Sequence, residues 1–166
     1  MYTFHTKQFL NATLNDVWQF ISSPKNLEVI TPDYMSFEIK NKEHLDRMYE
    51  GQIIVYSVKP MLNIPLKWVT EITHVKEPFY FVDEQRFGPY KFWHHKHFLH
   101  ENSNGIVMED LVHYDIAMGP IGKIMNKIMI RKQLKNIFRF RTEKMAELFG
   151  STEKNGCNKI LSEYKN

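Results

Sequence analysis

The longest helix-periodic stretch of this chain, residues 121–149, comes after a block that reads almost entirely as strands, residues 34–116. Ile121, Ile124, Met125, Ile128, Leu134, Ile137, Phe138, Met145, Leu148 and Phe149 recur at helical spacing and mark one wide apolar stripe. Gly119-Pro120 precedes the stretch and Gly150-Ser151 follows it, the asymmetry expected of a helix start and stop. A helix with one apolar stripe and an antiparallel sheet with one apolar face each need a partner. The helix must therefore lie on the sheet, and the open question is whether the space between them is packed or hollow.

The chain before the helix supplies the sheet. Residues 2–10 alternate as a first strand. Residues 14–22 read as a helix, with Leu14, Val17, Trp18 and Ile21 on one face and a Thr13-x-x-Asp16 start signal. Pro24 ends it, and 26–30 reads as a second short helix that stops before Thr31-Pro32. Strand patterns then cover 36–40, 51–59, 66–75, 79–87, 92–100 and 106–116, with 41–50 polar and turn-like. Gly88-Pro89-Tyr90 and Asn102-Ser103-Asn104-Gly105 mark hairpin turns. Short connections between consecutive strands mean an antiparallel meander. The class is α+β, with six or seven strands. We expect one domain over 1–150 and a flexible polar tail over 151–166.

Composition bears on the packed-or-hollow question. Aromatic residues make up 14% of the chain (12 Phe, 8 Tyr, 3 Trp), which suits a large core or a lined pocket. Met118, Met125 and Met129 gather near the helix start, as core residues or at a cavity mouth. The formal net charge is +3, heaviest over 123–144. No basic cluster or reader motif points to nucleic acid, whereas the basic amphipathic helix leaves peripheral contact with anionic membranes open. No apolar run spans a membrane, no signal peptide is visible, and the lone Cys157 fits a reducing compartment, so the expectation is a cytoplasmic protein.

The order of elements resembles the START/Bet v 1-like superfamily, also called SRPBCC or polyketide cyclase/dehydrase-like, over about residues 1–150. The stretch from Phe81 to Tyr90, then Trp93-x-His95-x-His97-Phe98, Met108-x-Asp110-x-Val112-x-Tyr114 and Pro120-Ile121-Gly122 resemble an uncharacterised bacterial branch. That branch includes cell-division-inhibitor-like domains, some joined to a nucleotide-sugar-epimerase-like domain. The resemblance implies a helix-grip fold, a curved sheet around the long C-terminal helix with a cavity between them. It also implies a hydrophobic cargo such as a lipid, hormone, polyketide or quinone, with cyclisation, dehydration or hydrolysis in some members.

Strand alternation nominates the site. Trp93, His95, His97 and Leu99 share one face. By the same parity Asp83 and Gln85 share a face with Phe87, and Met108, Asp110, Val112 and Tyr114 share one on the last strand. If these faces turn inward, Asp83, Gln85, His95, His97, Asp110 and Tyr114 meet. They would orient a ligand's polar end, act as acid and base (candidates His95, His97 and Asp110), or form a self-satisfied hydrogen-bond network. His-x-His with Asp110 as third ligand is also a possible metal set, but no metal and no cofactor is assigned. Arg131 and Arg141 interrupt the helix stripe. They either snorkel to its edge or meet a cavity carboxylate or an acidic ligand group. Trp18 is expected in the core and Trp68 in the cavity wall, and with Trp93, Met125 and Arg141 the latter completes the ligand-contacting set. Three functions follow: binding or transport of a small hydrophobic or aromatic ligand, a cofactor-free cyclase, dehydratase or hydrolase using a His/Asp pair, or a protein-interaction module.

Overall fold

The computed structural model describes residues 1–151 apart from 42, 44, 60–63, 118, 120, 121, 123 and 125. The tail expected over 151–166 lies outside the described residues from 152 onward.

The strands are β1 (Tyr2–Leu10), β2 (Glu38–Ile39), β3 (Ile53–Val58), β4 (Leu66–Lys76), β5 (Tyr80–Phe87), β6 (Phe92–Asn102) and β7 (Gly105–Asp115). They form one curved antiparallel sheet in the order β1-β7-β6-β5-β4-β3-β2, so the meander from β2 to β7 is closed by β1 pairing with β7. Period-2 alternation sets the inward face. Phe4, Thr6, Gln8 and Leu10 of β1 are buried, as are Trp93, His95, His97 and Leu99 of β6 and Ile106, Met108, Asp110, Val112 and Tyr114 of β7. Register breaks in the β4–β5 ladder at Val69/Thr70 and Ile72/His74 increase the local bend.

Helix α1 (Leu14–Ile21) starts at Thr13. Thr13 Oγ1 accepts from the Asp16 backbone N–H at 3.2 Å and donates to Asp16 Oδ2 at 2.6 Å. Val17, Trp18 and Ile21 are buried. The second short helix expected over 26–30 is instead a 3-10 turn, Pro24–Leu27, and another 3-10 turn, Asp33–Met35, follows beyond that range. Asn26 Nδ2 donates to Phe20 O at the end of α1, and Thr31 Oγ1 donates to Leu27 O.

Helix α2 (Arg131–Phe149) lies on the inner face of the sheet and is preceded by a π turn, Asn126–Ile130. The uniform helix expected from 121 is thus interrupted. The π turn moves the register, so Ile124 and Ile128 of the expected stripe are exposed while Asn126 is buried. Further along, Leu134, Phe138 and Met145 face inward as expected.

Packing gathers at two ends. Leu10, Val17, Trp18, Leu99, Met108 and Met145 belong to one cluster, where α1 meets the later part of α2. Phe4, Trp93, Val112, Tyr114, Ile130, Leu134 and Phe138 form the other. Gln8 Nε2 donates to Thr142 O at 2.7 Å and ties α2 to β1.

Candidate functional site

Between these clusters the sheet and α2 enclose a cavity of about 300 Å³. Ile54, Tyr56 and Val58 line it from β3, and Trp68, Thr70 and Ile72 from β4. Leu134, Ile137, Phe138 and Arg141 line it from α2. Trp68 stacks on Tyr56 at 5.9 Å and meets Trp93 and Tyr90 edge-on at 5.3 and 5.5 Å, so much of the wall is one continuous aromatic surface.

One polar cluster interrupts that wall. Register places Asp83 of β5 opposite His95 of β6, and His97 opposite Asp110 of β7. Because His95 and His97 are two residues apart on one face, each imidazole lies between both carboxylates. His95 Nδ1 is 3.3 Å and His97 Nε2 2.8 Å from Asp83 Oδ2, while His95 Nε2 is 3.0 Å and His97 Nδ1 2.9 Å from Asp110 Oδ1. The two rings lie 3.7 Å apart, and Phe81 stacks on His97 at 4.1 Å. Arg141 Nη1 reaches Asp110 Oδ1 at 3.5 Å, and its guanidinium lies 5.0 Å from the Phe138 ring centre.

Ionised carboxylates accept hydrogen bonds and cannot donate, so proton count decides the state of this square. Burial pushes the Asp83 and Asp110 carboxyls up, but the neighbouring imidazoles and Arg141 outweigh it. Asp83 is held below the usual carboxylate value and Asp110 well below it. Burial also opposes a charge on His97, yet its bonds to both carboxylates prevail and raise its pKa. His95 goes the other way: burial, reinforced by repulsion from His97, lowers it to about 4. Two carboxylates thus face two imidazoles and one guanidinium, and the surroundings favour the charged form of His97 and the neutral form of His95. The shorter contact places the His95 proton on Nε2, toward Asp110, and leaves Nδ1 bare beside Asp83. Tyr56 and Tyr90 stay neutral, since burial raises both phenols and the Asp83 charge raises Tyr56 further.

The nominated residues divide. Trp68, Asp83, Trp93, His95, His97 and Arg141 line the cavity. Asp110 lies behind the two imidazoles. Tyr114 turns away and donates from its hydroxyl to Asn126 Oδ1 at 3.0 Å. Gln85 is engaged at the β5–β6 turn, donating to Tyr90 O at 2.6 Å and accepting from the Tyr90 N–H at 3.2 Å. Met118 and Met125 lie outside the described residues. The two arginines differ: Arg141 lines the cavity and reaches the Asp110 carboxylate behind the imidazoles, whereas the Arg131 guanidinium lies 5.7 Å from the Tyr2 ring centre. Sequence reasoning passed over Tyr56, Phe81 and Tyr90. The Ile54-Tyr56-Val58 alternation carried the signal for Tyr56, since two apolar neighbours of the same parity point it inward.

The architecture has counterparts among solved structures. A protein from Chromobacterium violaceum matches with a TM-score of 0.68 at 11% identity, covering 90% of this chain and 99% of that one. A START superfamily protein from Mycobacterium smegmatis matches with a TM-score of 0.64 at 8% identity, over 89% and 99% of the two chains. A nucleoside-diphosphate sugar epimerase from Corynebacterium glutamicum matches with a TM-score of 0.60 at 16% identity, over 86% of this chain and 28% of that one. The likeness is one of fold. No protein-family model and no curated protein matches the chain. No helix among the described residues is long and apolar enough to cross a membrane.

Proposed function

We propose that the protein binds a small apolar or aromatic molecule in the cavity between sheet and α2, with the ligand's polar end against Asp83, His95, His97 and Arg141. The observation that carries this reading is an aromatic-walled cavity whose charged side chains are gathered in a single cluster. Apolar walls with a few convergent polar groups are the ordinary form of a small-molecule site, and such sites run from about 300 to 1,000 Å³. A cavity of about 300 Å³ is at the lower end. Size and stacking surface therefore favour a compact ring compound of polyketide or quinone type over a long acyl chain.

Native mass spectrometry of the protein purified from its own host tests this directly, and a co-purifying aromatic small molecule is expected. Trp68 and Trp93 give a second readout, because 2-naphthol in the cavity would quench their emission. A protein that carries no small molecule and whose emission 2-naphthol leaves unchanged refutes the reading.

One observation favours a second reading, acid–base catalysis on such a ligand. Neutral His95, with Nε2–H donating to Asp110, has the form of an oriented general base. In this reading Asp110 orients the imidazole and His95 takes the ligand proton on Nδ1. Turnover of a bound ligand that His95→Gln abolishes while binding persists would separate catalysis from carriage.

A further inference from the structure

The square of Asp83, His95, His97 and Asp110 has two unlike carboxylate corners. Asp83 lines the cavity together with both imidazoles, and one nitrogen of each, His95 Nδ1 and His97 Nε2, is directed at its Oδ2. Asp110 is behind them, and the remaining nitrogens, His95 Nε2 and His97 Nδ1, converge on its Oδ1, which Arg141 also approaches. We infer that Asp83, His95 and His97 form a mononuclear site for a borderline divalent transition ion such as Zn²⁺ or Fe²⁺, open toward the cavity, with Asp110 positioning both imidazoles from behind.

Spacing supports the assignment. Metal bonds of about 2.0–2.2 Å to nitrogen and oxygen place adjacent ligand atoms roughly 3 Å apart. The two N···O separations on the Asp83 side are 3.3 and 2.8 Å, and all three ligand atoms lie within 4.8 Å of one another. The far nitrogens support it as well. His95 Nε2 and His97 Nδ1 reach Asp110 Oδ1 at 3.0 and 2.9 Å, so with an ion on the near nitrogens each ring would donate its far N–H to that carboxylate. A ligating histidine whose other N–H is fixed by a carboxylate is the usual outer shell of such a site. Arg141 in turn holds that carboxylate.

The donor set selects the ion. Two imidazoles and one carboxylate suit Zn²⁺ or Fe²⁺, whereas Mg²⁺ and Ca²⁺ prefer oxygen donors. Three protein ligands leave at least one position free, on the side where all three residues meet the cavity. The charges sum to +1, from the ion (+2), Arg141 (+1) and two carboxylates (−2), so that position favours an anionic oxygen. Sequence pattern pointed to Asp110 as the third ligand. The structure exchanges the roles, because Asp110 faces the opposite nitrogens. The inference does not depend on which molecule fills the cavity.

The test uses the full, tag-free chain freed of metal by a chelator and titrated with Co²⁺. Ligand-field absorption saturating at one ion per chain, displaced by one equivalent of Zn²⁺, is expected. Asp83→Asn and His95→Gln abolish the signal, and Asp110→Asn weakens Co²⁺ binding about 10- to 100-fold without abolishing it. His94→Gln, on the outer face of the same strand, changes nothing. Circular dichroism of each variant separates lost ligation from lost fold, and the parent titration stands without any variant. No one-to-one binding by the parent overturns the inference, as does binding that folded Asp83→Asn or His95→Gln retains. Uptake of 2-naphthol is followed in parallel. Uptake without Co²⁺ binding removes the metal site and leaves the ligand reading intact, and Co²⁺ binding without uptake does the reverse.

Discussion

Asp110 is the residue on which the electrostatics of the interior converge. Its Oδ1 meets two imidazole nitrogens and the Arg141 guanidinium in a buried setting. Asp110→Ala removes the oxygen that two imidazole nitrogens and the Arg141 guanidinium share. Breaking a buried charge network in this way costs about 3–5 kcal/mol. We expect a loss of that order by urea unfolding of the metal-free protein at pH 7. Arg141→Met should cost less, because Asp110 keeps its two closer contacts, the imidazole nitrogens at 3.0 and 2.9 Å. The opposite order of cost would show that Asp110 is not the hub. Its chain neighbour Glu109 is a contrasting case on the outer face, where it meets His5 Nε2 at 2.7 Å, Lys7 Nζ at 3.0 Å and His100 Nε2 at 3.5 Å. Burial pushes its carboxyl up, but Lys7 and His5 outweigh that and hold it below the ordinary 4.5. A carboxyl depressed on folding stabilises the protein above its unfolded pKa, and the contribution is lost as pH falls through the folded value. Glu109→Gln should therefore cost up to about 1 kcal/mol at pH 7. In paired unfolding curves that difference should shrink steadily below pH 4.5; a constant difference would rule out a charge effect.

Among the elements, the β6–β7 hairpin holds three of the four cluster residues, and its turn depends on Gly105. There φ is +135°, and an added Cβ would lie 2.2 Å from Leu10 O on β1. Gly105→Ala forces both a backbone region that L residues avoid and a collision with main chain. It should lower stability by at least about 1–3 kcal/mol, read as a fall in Tm. An unchanged Tm would mean that β1 is not anchored at this turn. The elements also explain what could be read in advance from the residues. His95, His97, Asp83 and Asp110 were legible as neighbours because continuous ladders through β5, β6 and β7 preserve period-2 parity. Gln85 has the same parity, but β5–β6 pairing stops at Glu84↔His94. Beyond that pair only the β4 ladder, through Thr70↔Gln85 beside a register break, holds this end of β5, and the Tyr90 backbone takes the side chain. The start of the helix departs from the expected stripe for a similar reason. Helical periodicity assumes 3.6 residues per turn, and the π turn Asn126–Ile130 breaks the count, turning Ile128 outward. Asn126, unremarkable in a hydropathy pattern, is held inside by the Tyr114 hydroxyl.

At the scale of the whole molecule, the two packed ends and the space between them make opposite demands on a substitution. Met145 is fully buried in the cluster that holds Leu10 and Leu99 and is shared with α1. Ile137, two turns earlier on the same helix, lines the cavity. Enlarging a side chain in a filled interior forces neighbours off their rotamers and typically costs about 1–3 kcal/mol. An enlargement into empty space avoids that cost and buries more apolar area. Ile137→Trp should therefore leave Tm unchanged or raise it while abolishing uptake of 2-naphthol, and Met145→Trp should lower Tm and leave uptake intact wherever the variant folds. The pair reads stability and binding independently on one helix. If Ile137→Trp is as destabilising as Met145→Trp, the interior is filled throughout and a ligand has no place to bind. If Ile137→Trp is harmless and uptake persists, the probe binds outside the sheet–helix space. Loss of uptake at unchanged stability would place the bound molecule against Trp68, Trp93 and the His95–His97 pair, where the aromatic wall meets the charged cluster.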